Sequence, residues 1–264
     1  MEYWNDERWL TVWPKRERLT DAITPFLLDG MALQPGERVL DVGSGGGKTT
    51  LAAARAVGAG GFVVGADVSE PMTELALQRT RHAGVDNVAF QIVDMQSGER
   101  IEGGPFDVAM SQFGVMFFDE PIVAFANLRA QLKPNGRLRF ACWQSNAKNP
   151  WFFAPILAEF VSPSVPPAPG KSPTGPFALA DPAWTASILE GAGFSAVRRT
   201  TFEIEVDAPQ DALVDDVQLG VMGIPNEHLE KARDAVETHV ARFKQPSGQS
   251  RFPLAFAIVD ASTV

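Results

Sequence analysis

The sequence predicts an α/β protein: a doubly wound, mostly parallel seven-stranded sheet with N-terminal helices and a helical cap. Three observations carry that prediction. Apolar strand-like runs alternate with helix-like segments between residues 38 and 143. The first four runs each reach a polar residue, in order Asp41, Asp67, Asp94 and Ser111. A cluster of glycines follows the first run at once. Strands joined through helices form parallel sheets with right-handed crossovers, and such sheets bind ligands beyond their carboxyl ends. The topology therefore gathers these four residues on one rim.

The elements follow in order. Residues 1–30 place Trp4, Trp9, Trp13, Phe26, Leu27 and Leu28 among charges, which suggests one or two amphipathic helices. Leu33–Glu37 is a turn and Arg38–Val42 a buried strand. The Ala-rich stretch Lys48–Val57 is helical. Phe62–Ala66 is the second strand, and Glu70–Ala83 carries Met72, Leu75 and Ala76 at helical spacing. Val88–Val93 and Phe106–Ser111 are the third and fourth strands. A helix over about Ile122–Leu132 stops at Lys133-Pro134-Asn135-Gly136, and Arg137–Trp143 is the fifth strand. The proline-rich stretch Ser162–Pro182 should be irregular. A helix near Trp184–Ala192 leads to a strand at about Ala196–Val206. Helices near Pro209–Val221 and Asn226–Phe243 precede a last strand, Arg251–Ala261. The chain thus divides into an N-terminal helical segment (1–30), a ligand-binding core (31–143), and cap segments with the strands that complete the sheet (144–264). Two cap helices and residues 144–182 are expected over the rim.

Composition narrows the class. A hydrophobic share of 45% with 21% charged residues is that of a globular domain. The formal charge of −9 opposes association with a phosphate backbone, so nucleic acid is an unexpected partner. Cys142 is the only cysteine, so no intramolecular disulfide forms, and three scattered histidines offer no metal spacing. No apolar run approaches the roughly 20 residues that span a bilayer. The N-terminus, charged and aromatic, is unlike a signal peptide. A cytoplasmic monomer or homodimer without membrane contact is expected.

The glycine loop Asp41-Val42-Gly43-Ser44-Gly45-Gly46-Gly47 suits close backbone approach to a ligand, a feature of three cofactor classes. A P-loop ends in Gly-Lys-Ser/Thr, which Gly47-Lys48-Thr49 supplies, but its first glycine would fall on Val42. The dinucleotide pattern G-x-G-x-x-G meets Lys48 or Thr50 where its third glycine belongs. Acid-x-Gly-x-Gly-x-Gly remains.

With that loop and four further segments, the chain resembles the seven-stranded, Rossmann-like methyltransferases that use S-adenosylmethionine (SAM). The segments are Gly65-Ala66-Asp67-Val68-Ser69, Val93-Asp94-Met95, Phe106-Asp107-Val108-Ala109-Met110-Ser111 and Leu132-Lys133-Pro134-Asn135-Gly136-Arg137-Leu138. They cover about residues 36–143 in order. The resemblance implies Gly43, Ser44 and Gly45 at the methionine portion of SAM, with Ser111 nearby. It implies Asp67 on both ribose hydroxyls, a task for an acceptor-only carboxylate. Asp94 would take the adenine amino group, with Met95 and Val68 or Met72 against the ring. Asp41 would orient the loop or reach the amino group through water. Each has a plainer alternative: Asp67 as a helix cap, Asp94 as a turn cap, Met72 and Met95 as core, Lys48 as a solvated residue.

Methyl transfer is an in-line displacement that needs alignment and desolvation rather than a covalent nucleophile or metal. A base is required only for a protonated acceptor. His228 and His239 on the cap helices, and the lone tyrosine Tyr3, are the base candidates; His82 is explained by its helix end. After the fourth strand the chain reads Ser111-Gln112-Phe113-Gly114-Val115-Met116-Phe117-Phe118, not the Asn/Asp-Pro-Pro-Tyr/Phe common in enzymes acting on amide or base nitrogens. Phe113, Met116, Trp143 and Trp151 are expected to line an apolar or aromatic acceptor pocket. Trp4-Asn5 and Arg8-Trp9, with the Phe113–Phe118 run, look like the small-molecule methyltransferases of the ubiquinone- and menaquinone-biosynthesis group, which methylate oxygen, nitrogen or carbon. S-adenosylhomocysteine (SAH) would be the product. Two other readings compete. A SAM-binding regulator would keep the loop but close the acceptor space. An NAD-linked oxidoreductase would need the missing third glycine and a proton relay.

Overall fold

The apolar runs form one seven-stranded sheet in the computed structural model, which describes residues 2–161, 174–209 and 215–264. The strands are β1 Arg38–Val42, β2 Phe62–Asp67, β3 Val88–Ile92, β4 Phe106–Gln112, β5 Leu132–Trp143, β6 Ser195–Ala208 and β7 Ser250–Ser262. The helices are α1 Trp9–Thr20, α2 Thr24–Asp29, α3 Lys48–Val57, α4 Glu70–Ala83, α5 Pro121–Ala130, α6 Pro182–Gly191, α7 Asp216–Val221 and α8 Leu229–Val240. Spatial order is β3-β2-β1-β4-β5-β7-β6. Strands β1 to β5 pair in parallel, while β7 inserts antiparallel between β5 and β6.

The order reverses between β1 and β4, which is where a doubly wound sheet opens a crevice. Covering both faces requires apolar residues on both, and β1 is buried along four of its five positions. Helix α4 shows why the sequence breaks where it does. The Ser69 hydroxyl accepts from the Met72 amide (3.3 Å), Pro71 stands in the first turn, and Gly84 ends the helix in the left-handed region.

Three expected boundaries move. Helix α5 stops at Ala130, and β5 begins at Leu132 rather than Arg137. Leu132 pairs with Phe106 and Arg137 with Val108, so Lys133–Gly136 loop out between two paired positions. Thr263 pins that loop, accepting from the Gly136 amide (2.8 Å) and donating to the Lys133 carbonyl (2.8 Å). The helix expected at Pro209–Val221 appears as the six residues of α7, and residues 210–214 lie outside the described ones. In Ser162–Pro182, residues 162–173 also lie outside them; residues 174–180 are turns and coil.

The N-terminal helices reach further than amphipathic patterning implies. Trp9 and Val12 are buried with Met72 and Val221, so α1 is clamped between α4 and α7 across the carboxyl rim of the sheet.

Candidate functional site

The loop after β1 is shaped by two close approaches. A Cβ on Gly43, at φ +66°, would lie 2.7 Å from the Gly114 Cα, so the loops after β1 and β4 touch through backbone. At Gly45, at φ +51°, a Cβ would lie 2.7 Å from the Trp13 ring, which α1 lays on the loop. Glu17 holds that arrangement: it accepts from the Trp13 indole (2.8 Å) and from the Arg79 guanidinium (2.8 Å), which also donates to the Gly46 carbonyl (2.9 Å). The Ser69 hydroxyl donates to the Trp4 carbonyl (2.6 Å), fixing the chain ahead of α1.

A cavity of about 650 Å³ runs from this loop along the rim, the size range of small-molecule and cofactor sites. Gly43, Ser44, Gly45, Asp67, Val68, Met72, Asp94 and Met95 all line it, as do Phe113, Met116, Trp143, Trp151 and Tyr3. The Asp67 carboxylate receives the Gly45 amide (2.7 Å) and the Ser69 amide (2.9 Å) on separate oxygens. Burial holds its carboxyl above the usual range, with the amides of Gly45, Ser69 and Val68 opposing that shift. At the end of β3, Asp94 accepts from the Gln96 amide (2.9 Å).

Two expected loop residues stand behind the wall instead. Asp41 is fully buried and accepts from the Thr49 and Thr50 hydroxyls at 2.7 Å each, which ties β1 to the first turn of α3. Its other oxygen has no partner, and burial pushes the carboxyl up to about 6. Ser111 is fully buried too, its hydroxyl accepting from the Gly114 amide (3.1 Å), so it shapes the β4 turn that meets Gly43.

The two histidine candidates are corrected. His239 lies 2.7 Å from the Pro150 carbonyl, and neither it nor His228 lines the cavity. Both belong to the outer side of the cap: α8 packs on α7 and on the turn at Ala154–Glu159, and only α7 reaches the wall, through Gln218. Lys48 lines the cavity but is paired with Asp21 (2.5 Å).

Opposite the loop, aromatic rings form a continuous wall. Phe113 stacks on Trp143 with centroids 4.1 Å apart and planes 9° from parallel, and Trp151 meets Trp143 edge-on at 5.1 Å. Phe113 holds φ +67°, a conformation costly for a bulky residue, maintained by its amide bond to the Ala141 carbonyl (3.1 Å). Trp13, Arg16 and Glu17 were not among the expected site residues; Trp13 was expected only as part of an N-terminal amphipathic helix. The Trp9, Trp13 spacing was the available signal, since four residues apart puts the two rings on successive turns of one helix.

The wall fits an adenosyl amino acid. The Ser44 hydroxyl is buried without a protein partner, the glycine loop lines the cavity at Gly43 and Gly45, and two carboxylates follow, Asp67 at the end of β2 and Asp94 just after β3. A family profile described as a methyltransferase domain matches residues 33–160. Nocamycin O-methyltransferase of Saccharothrix syringae is 29% identical over 76% of this chain and 72% of its own length. Aklanonic acid methyltransferase of a Streptomyces species is 30% identical over 59% of this chain, which spans 64% of that relative. The crystal structure of the YcgJ protein of Bacillus subtilis shares the fold, with a TM-score of 0.63 at 16% identity over 92% of this chain and 98% of that one. The glycine loop, the strand order and the paired carboxylates therefore stand beside these likenesses: residues 33–160 are similar to a methyltransferase domain, and the sheet shares the fold of the YcgJ protein.

Proposed function

We propose that the protein transfers a methyl group to a small, aromatic or largely apolar acceptor seated against Phe113, Trp143 and Trp151. The observation that carries this reading is the continuity of the cavity: its wall runs from Asp67 and Asp94 past Gly43 to the aromatic rings. A regulator that only senses SAM would need no such space. The names of the two relatives, a nocamycin and an aklanonic acid methyltransferase, point the same way.

SAM supplies an electrophilic methyl group on a sulfonium. The chain's own residues bind and align. In this reading Asp67 takes the ribose hydroxyls, Asp94 the adenine amino group, and Ser44 with the loop amides the amino-acid portion. Met95, Val68 and Met72 pack the base, while Asp41 and Ser111 hold the loops from behind. Phe113, Trp143 and Trp151 would hold the acceptor in line with that methyl group. Stacked rings orient that acceptor and exclude water, which is how alignment lowers the barrier.

Calorimetric titration with SAH and with NAD tests the cofactor assignment. Micromolar binding of SAH without NAD binding is expected, and binding of NAD alone would overturn it. For the acceptor wall, Trp143→Ala should leave SAH affinity within about twofold but raise acceptor KM roughly ten- to hundredfold, because it removes both ring contacts of the stack. An unchanged KM for an identified acceptor would move the acceptor elsewhere.

A further inference from the structure

Nearly every charged group on the cavity wall has a protein partner. Glu17 is engaged by Arg79, Asp21 by Lys48, Asp67 by two amides and Asp94 by Gln96. Asp119 is exposed at the mouth. Arg16 is the exception among cations. Half-buried, its guanidinium lies over the Trp9 ring at 5.3 Å and makes no hydrogen bond or ion pair with any described residue. Its neighbour Lys15, by contrast, is paired with Asp215. A guanidinium does not shed its proton, so one that lines a cavity with no protein anion beside it is free to receive an anionic ligand.

A second group on the same wall is also unmatched. Gln218, on α7, is 1% exposed, and its Oε1 is buried with no hydrogen-bond partner. Helix α7 packs directly on α1, which carries Arg16, and it belongs to the cap rather than to the strands that bear Asp67 and Asp94.

We propose that Arg16 anchors an anion subsite for a carboxylate carried by the methyl acceptor, and that Gln218 accepts a hydrogen bond from a donor on the same molecule. The proposal rests on the methyltransferase reading of the cavity. The amino-acid carboxylate of SAM has the same chemistry, and the experiment separates the two sources.

The probes are 3-hydroxy-2-naphthoate and its neutral amide, 3-hydroxy-2-naphthamide, titrated into protein saturated with SAH. Wild-type protein should bind the acid at least about tenfold more tightly than the amide, the scale of one charge-assisted contact. Arg16→Gln should abolish that preference and Arg16→Lys should keep part of it, with SAH affinity within about twofold in both. Equal binding of acid and amide by the wild type, no binding of the acid, or a preference that survives Arg16→Gln would each overturn the proposal. So would a large loss of SAH affinity in Arg16→Gln, which assigns the guanidinium to the cofactor. The wild-type comparison and Arg16→Lys carry the test even if Arg16→Gln does not fold. Failure of the wild type to bind SAH at all would instead remove the reading on which the proposal stands.

Discussion

Asp67→Ala is expected to weaken SAH binding by about 2–3 kcal/mol, roughly 30- to 150-fold in Kd by calorimetry. The carboxylate ends β2 inside the cavity with each oxygen already receiving one backbone amide, from Gly45 and from Ser69. Each oxygen keeps a free lone pair, and a cis-diol offers two donors at matching spacing. Alanine removes both charged acceptors and also releases the Gly45 amide, so the loop loses an anchor along with the ligand. Asp67→Asn should fall between the two, because one side of the carboxamide becomes a donor and meets an amide or a hydroxyl as a donor. Since burial already raises the Asp67 carboxyl, protonation competes with binding, and SAH affinity should decline as the pH is lowered toward that titration. Wild-type affinity in Asp67→Ala would sink the ribose assignment.

The parts of this site that sequence spacing reveals are those fixed by local chemistry. Val39-Leu40-Asp41-Val42 followed by glycines could only be a buried strand turning sharply, and the structure needs positive φ at Gly43, Gly45 and Gly47. Asp67 and Asp94 were legible as cavity residues because each lies at the carboxyl rim of the sheet, although both also cap, Asp67 receiving the Ser69 amide and Asp94 the Gln96 amide. Even the resemblance that named the cofactor stops at Trp143, where the local signal stops.

What spacing does not show is which side chains meet across long separations. Trp13 lying on Gly45 joins residues on separate elements, and the Glu17–Arg79 pair that locks it spans 62 positions. His239 looked available on a cap helix, yet the helix it occupies packs behind α7, so its ring meets the Pro150 carbonyl instead. The bulge at Lys133–Gly136 reads as a helix end until Thr263, at the far end of the chain, is seen to satisfy it. Arg16 is the sharpest case. Nothing in Lys15-Arg16-Glu17-Arg18 distinguishes one cation from the next; only the fold pairs Lys15 with Asp215 and leaves Arg16 facing the cavity.

Asp41→Asn should flatten the pH dependence of stability. Full burial places the Asp41 carboxyl at about 6 against an ordinary value of 3.8, while the Thr49 and Thr50 hydroxyls pull it down and the nearby Asp67 pushes it up. The folded-state value is raised, so between these two pH values the native protein holds more protons than the unfolded chain. This group's contribution is therefore most favourable below pH 4, is lost as pH rises toward 6, and is constant above that. The whole span amounts to roughly 3 kcal/mol, and about half of it falls between pH 5 and pH 8. For a chain of this size that half corresponds to roughly 3–6 °C in Tm. An asparagine keeps an acceptor for the two threonine hydroxyls but has no charge to desolvate, and its amide inherits the place of the unpartnered oxygen. The variant's absolute stability thus reflects two opposing changes, and the slope isolates the titration. Melting curves at pH 5 and pH 8 should show the Tm of Asp41→Asn gaining on the wild type by that amount as the pH rises. Parallel shifts in the two proteins would mean that Asp41 is already ionised beneath the loop at pH 5, with the threonine hydroxyls outweighing the cost of burial.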